Sequence, residues 1–310
     1  MLRTPAPTQG RARNPGRHGV LARVAAVAAG AALALGSAVP EARAGGSACT
    51  SAAHPQAALA IDEVIERITA ERAGDVAVGV SAFDGELSCG HRSGDVFDAA
   101  SAGEVVVLSA LLHRSAREGR ALTPEEDRAA VRMVTRSDAA ATRWLRDHVG
   151  TGAMQRFVDA AGMTGTRPHA RGAVGLMKTN AADQLRLLEL ITAPNDVLGD
   201  EGRAYARRLM GEVPREQRWG VLAGAPAGAE IAAKNGWLHR AGTDVWRVNS
   251  VGIIDKTGIG PYGMVVLTDG NDARDYGVRT IELISREVHA ALNGTRVRTP
   301  VTPAVPPDTA

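Results

Sequence analysis

Apolar residues recur at helical spacing across residues 56–72, where Ala58, Ile61, Val64, Ile65 and Ile68 share one face and the charges lie on the other. An amphipathic helix is predicted there. The period then changes: Val76-Ala77-Val78-Gly79-Val80 and Leu87-Ser88-Cys89 flank the turn signal Asp84-Gly85 and read as a β-hairpin. From Ser101 to about Gly199 the pattern is helical. Thr123-Pro124-Glu125-Glu126 has the form of a capping box with proline at the first helical position, Thr151 and Thr179 are placed as N-caps, and Gly150 and Gly162 stand where helices stop. β-rich segments return at 230–238, 246–254 and 264–267, a last amphipathic helix covers 276–292, and the proline-rich residues 295–310 read as a disordered tail.

That order gives five strands drawn from both ends of the chain around a helical centre, so an antiparallel sheet with a separate helical lobe is expected. Parallel doubly wound folds are disfavoured, because strands and helices do not alternate. The run Gly258-Ile259-Gly260-Pro261-Tyr262-Gly263 fits a dinucleotide fingerprint, but a strand follows it where a helix N-terminus is needed. It reads instead as a hairpin turn.

Composition adds the compartment. Residues 1–44 hold six of the 36 basic residues and one of the 34 acidic ones, and the uncharged Ala-rich run at 24–40 ends near Ala42-Arg43-Ala44. This is the pattern of a secretory signal peptide, giving an exported protein whose mature domain spans 45–294 and carries a helical lobe over about 101–212. An uncleaved anchor and lipidation at Cys49 are the other readings of this segment. At that length and composition the run is weak as a stable bilayer span once the signal is removed. In an oxidising compartment Cys49 and Cys89 would form one disulfide, worth roughly 3–4 kcal/mol in a chain-entropy account, the other reading being two buried thiols. Without the leader the chain is slightly acidic, and only 3% of the residues are aromatic, which disfavours nucleic acid as a partner. The spacing of the two cysteines and eight histidines gives no metal motif, and no cofactor is expected.

Three short segments carry the candidate chemistry. Ser101 stands before the apolar run 105–112, with Glu104 three residues on; Ser137-Asp138-Ala139 lies between two helices; Lys234-Asn235-Gly236-Trp237 sits within a strand, where a lysine calls for a reason. With this order and spacing, the chain over about 55–294 resembles the class A β-lactamase and penicillin-binding-protein superfamily, in particular its secreted actinobacterial class-A-like serine hydrolases. The family motifs are S-x-x-K, S-D-N and K-T-G. The literal Lys256-Thr257-Gly258 is a decoy, since two strand-length segments must follow the true motif and only 234–236 has them. Gln217-Arg218-Trp219-Gly220 and Val248-Asn249-Ser250-Val251-Gly252 are also similar to that family.

The resemblance implies an α/β two-lobe serine β-lactamase-like fold with the cleft at the junction of the lobes. It further implies Ser101 as nucleophile, Ser137 as proton relay and Lys234 as electrostatic anchor. Asn235, Gly236 and Trp237 would bind substrate, with the Ser101 and Trp237 N–H groups as oxyanion donors.

Three departures alter that expectation. Glu104 replaces the lysine beside the nucleophile, Ala139 replaces the asparagine, and no glutamate lies between Gly162 and Glu189 to activate a deacylating water. Ser101-x-x-Glu104 also has the form of a capping box, with Glu104 as counter-ion to Lys234. The sharper reading makes Glu104 a general base with a burial-raised pKa. The expectation is thus an exported homologue with lost or very weak β-lactam hydrolysis and a retained cleft. That cleft would bind a small molecule or cell-wall peptide bearing an amide, ester or carboxylate. The alternative is an active serine hydrolase or acyltransferase that uses Glu104 as an atypical base.

Overall fold

The computed structural model describes residues 47–240 and 242–295. The predicted signal peptide (1–44) and all of the predicted tail beyond residue 295 lie outside them. Six antiparallel strands form the main sheet: β1 (Ser47–Thr50), β2 (Asp75–Ala82), β3 (Leu87–His91), β6 (Glu230–His239), β7 (Trp246–Lys256) and β8 (Gly260–Asn271), in the order β1-β3-β2-β8-β7-β6. Five strands were expected. The sixth is β1, four residues that pair with β3 in a register setting Cys49 opposite Cys89, and the two are disulfide-bonded. Four residues are too few for a readable hydrophobic period, so pairing and cross-link define this strand, not its pattern.

The strands alternate between two cores. Val76, Val78 and Val80 of β2, Val248 and Ile254 of β7, and Met264 and Val266 of β8 pack with Ile61, Ile65 and Ile68 of α1 (Pro55–Ala70) and Ile281, Ile284 and Val288 of α8 (Arg274–Leu292). Ala77, Val251, Ile253, Val265 and Leu267 face the other way, onto the helical lobe. A sheet covered on both faces needs apolar residues at both parities, which is why these strands read as near-continuous hydrophobic runs. β8 starts earlier than predicted and takes in Gly260, Pro261 and Gly263, leaving only Gly258 and its neighbours as the turn. Proline is tolerated there because the pairing of β2 with β8 ends at Ser81 and Gly263, so Pro261 lies past the end of β2.

The helical lobe comprises α2 (Gly103–Arg117), α3 (Pro124–Arg136), α4 (Ala139–Val149), α5 (Thr151–Ala161), α6 (Ala181–Thr192) and α7 (Gly199–Gly211). Its centre is α2, whose Val105, Val106, Val107, Leu108 and Leu111 are fully buried. The Thr123–Glu126 capping box forms as predicted, and Gly162 ends α5 in the left-handed conformation. Two caps differ from expectation. α5 begins at Thr151 itself without a side-chain cap, and α6 is capped by Asn180, not Thr179, with Asn180 Oδ1 accepting from the Asp183 amide. Thr179 instead belongs to a two-residue strand β5 (Lys178–Thr179), paired with β4 (Phe97–Asp98), which delivers the chain to Ser101.

Candidate active site

Ser101 lies in a single 3-10 turn, Ala100–Ala102, between β4 and the start of α2. Ala100 is held at φ +47°, the left-handed region that alanine rarely occupies, so the surrounding structure must hold the turn in place. It does so from three sides. Asn249 donates its side-chain N–H groups to the carbonyls of Asp98 (2.8 Å) and Ala99 (3.0 Å). The buried Asp98 carboxylate meets Arg247 at 2.9 Å and Lys178 at 2.5 Å. Gly236 of β6 runs so close to the turn that a Cβ there would lie 2.4 Å from the Ser101 nitrogen and 2.8 Å from that of Ala102.

Glu104, one helical turn after Ser101, is buried, and its Oε2 faces Lys234 Nζ at 3.2 Å. Its Oε1 accepts from the Thr142 hydroxyl at 3.2 Å. Lys234 is equally buried and donates to Ser137 Oγ at 2.5 Å and to the Asn235 carbonyl at 3.0 Å. Ser137 sits in the left-handed conformation (φ +49°) where α3 ends, which turns its hydroxyl toward the lysine. Burial pushes the Glu104 carboxyl up, opposed by Lys234 and by the Thr142 and Ser137 hydroxyls. It pushes the Lys234 ammonium down, opposed by Glu104. Ion pair or neutral pair, the two together carry no net charge.

The expected capping box at Ser101 does not form: neither the 3-10 turn nor α2 has a side-chain cap, and the Ser101 hydroxyl makes no hydrogen bond among the described residues. The reason is geometric. Ser101 is already inside a helical turn, so its side chain cannot reach the amides an N-cap serves, and Glu104 turns to Lys234 and Thr142 instead.

The remaining positions separate by strand parity. Lys234 and Gly236 face the serine. Asn235, expected to bind substrate, is buried and fully engaged: it donates to the carbonyls of Gln217 (2.7 Å) and Trp219 (3.2 Å) and accepts from Ser250 Oγ at 2.5 Å. It ties the 217–220 segment to the sheet and does not line the cleft. Trp237 is partly exposed, with its ring 6.1 Å from that of half-buried Trp219 and the Arg274 guanidinium over it at 5.4 Å. A cavity of about 270 Å³ opens on Ser101, Glu104 and Ser137, bounded by Ala139, Thr142, Arg143 and Arg146 of α4 and by Ala173, Val174 and Gly175. That last segment is the part of the 162–180 loop that lies against the Ser101 turn, and it carries no carboxylate. Among the described residues that line the cavity, Glu104 is the one acid.

The profile of the Beta-lactamase2 family, described as a beta-lactamase enzyme family, matches residues 122–292. The chain belongs to that beta-lactamase family. The match takes in Ser137 and Lys234 and begins beyond Ser101 and Glu104. A solved PBP-A mutant in acyl-enzyme complex with penicillin G is 19% identical, covering 76% of this chain and 97% of that one with a TM-score of 0.65. A β-lactamase from Xanthomonas campestris is 19% identical over 75% of this chain and 98% of that one (TM-score 0.64). The class A β-lactamase of Mycobacterium abscessus is 19% identical over 76% and 99% (TM-score 0.63). At this identity the likeness establishes the β-lactamase-like fold. No curated protein matches the chain.

Asp98, Asn249, Arg247 and Thr142 were not predicted as site residues. Each is a buried or half-buried polar side chain in an apolar or helical segment, and that mismatch between residue and surroundings was the available signal.

Proposed function

We propose that this β-lactamase-family protein is an exported cleft protein that binds a ligand bearing an amide, ester or carboxylate, and that its β-lactam turnover is lost or very weak. The observation that carries this reading is the Glu104–Lys234 pair, buried at 3.2 Å, beside a Ser101 hydroxyl with no hydrogen-bond partner among the described residues. Nucleophilic attack by a serine needs an acceptor for its proton within about 3 Å. Here the one carboxylate among the described residues that line the cavity, Glu104, directs Oε2 at Lys234 and Oε1 at the Thr142 hydroxyl. Export is supported by the basic, apolar and small-residue pattern of 1–44 and by the Cys49–Cys89 disulfide. The alternative, in which Glu104 serves as base for an ester or amide substrate, draws on the upward push that burial gives its pKa.

Intact mass spectrometry after exposure to a penicillin and, separately, to a fluorophosphonate tests the proposal. The expected result is no adduct on the unmodified protein and a Ser101-borne adduct in Glu104→Lys. A Ser101-dependent adduct on the unmodified protein overturns it, and one abolished by Glu104→Gln establishes the alternative.

A further inference from the structure

The charges around the cavity do not cancel. Glu104 and Lys234 neutralise each other, and no other acid lines the cavity among the described residues. Arg143 lines it from α4, is solvent-exposed and makes no ion pair or hydrogen bond among the described residues. Arg146, one turn further on, also lines it. Its side chain lies along Gly172, where a Cβ would come within 2.8 Å of Arg146 Cδ, so the guanidinium spans from α4 to the loop that supplies Ala173 and Gly175. Its partner, Asp147, is largely exposed at 2.6 Å, and a pair so open to water is heavily screened. The cavity beside Ser101 therefore carries an excess of between one and two positive charges in a partly enclosed space.

We propose that this face of the cleft is a carboxylate-binding subsite, with Arg143 as the primary contact and Arg146 as the second, and that the ligand of the cleft carries its carboxylate on the side that abuts Ala139. The absence of a side-chain amide at Ala139 gives the room, and a guanidinium fork supplies the two parallel N–H donors that a carboxylate accepts. One carboxylate at this face, in addition to any charge the ligand carries elsewhere, matches the excess, because Arg146 is partly satisfied by Asp147. The inference rests on the reading of the cleft as a ligand site and specifies what that site selects.

The test compares benzylpenicillin with its α-carboxy derivative, which differs by one side-chain carboxylate, in equilibrium titrations followed by amide NMR shifts. The variants are Arg143→Gln, Arg143→Lys, the Arg143→Gln/Arg146→Gln pair, and Arg128→Gln as a charge-matched control outside the cavity. In the unmodified protein the α-carboxy compound is expected to bind about five- to tenfold more tightly, as for a single partly shielded ion pair. The preference should vanish in Arg143→Gln, persist in part in Arg143→Lys, remain in Arg128→Gln, and weaken as salt is raised. Equal affinities in the unmodified protein, or a preference that survives the double variant, overturn the subsite while leaving the cleft as a ligand site. Binding of neither compound overturns both.

Discussion

If Glu104 is above all the counter-ion of Lys234, removing either partner strands a buried charge, and removing both does not. At 3.2 Å and an effective dielectric of about 20 the pair attracts by about 5 kcal/mol. Most of that offsets the desolvation of two side chains that are 0% and 4% exposed. Breaking such a pair from one side costs about 3–5 kcal/mol, because the survivor keeps its desolvation penalty and loses its compensation. Glu104→Gln and Lys234→Met are therefore expected to destabilise by about 3–5 kcal/mol each. The double variant should cost about the same as one single variant, a coupling of about 3–5 kcal/mol. Urea unfolding of the four proteins measures this as shifts in midpoint at constant slope. Additivity within about 0.5 kcal/mol would refute the reasoning: Glu104 would then be held by Thr142 and Ser137, and its carboxylate would be available for other work.

Two further outcomes follow from buried contacts elsewhere. Gly236→Ala places a methyl against two backbone nitrogens that cannot rotate aside, so it should destabilise by about 1–3 kcal/mol, whereas Gly94→Ala, with open space around it, should change little; equal effects would remove the argument for a close approach of β6 to Ser101. His289 is buried between the Tyr262 hydroxyl and the Val221 carbonyl, and burial pushes its pKa down to about 4. Above about pH 6.5 it is neutral folded and unfolded; as pH falls from there to about 4 only the unfolded chain takes up the proton, so roughly 3 kcal/mol of stability is lost over that window and no more below it. Unfolding free energies against pH should show this loss flattened in His289→Gln, and identical slopes in both proteins would sink it.

The sequence displayed the elements whose burial is one-sided or complete. The Ile61, Ile65 and Ile68 stripe, the hairpin at 76–89 and the three late strands are legible because a repeated hydrophobic period is their cause. What it did not display are features caused by a single partner. β1 exists because Cys49 and its neighbours lie along β3, and β4 and β5 are two residues each. Asn235 was legible as part of a motif but not as a tether, because its partners, Gln217 and Trp219, are set by the fold of a loop. The same holds for the capping-box form at Ser101 and Glu104. A spacing of three suits a cap and also suits two residues on one helix face, and only the turn that precedes α2 decides between them.

The geometry that positions Ser101 is independent of the charge beside it. Ala100 belongs to the turn itself, and the two Asn249 hydrogen bonds, the Asp98–Arg247 pair and the bare backbone at Gly236 hold that turn from residues that do not line the cavity. An exchange at position 104, glutamate for the lysine that the family resemblance implies, therefore leaves the Ser101 scaffold standing and, under the proposed reading, changes what can accept its proton. Lys234 makes that exchange tolerable, since a second lysine in the same desolvated space would repel it and a carboxylate matches it. Under the proposed reading, the carboxylate at 104 thus stabilises the fold and withholds a proton acceptor from Ser101 through one contact. Under that reading, Glu104→Lys should confer reactivity toward a penicillin only at a cost in stability.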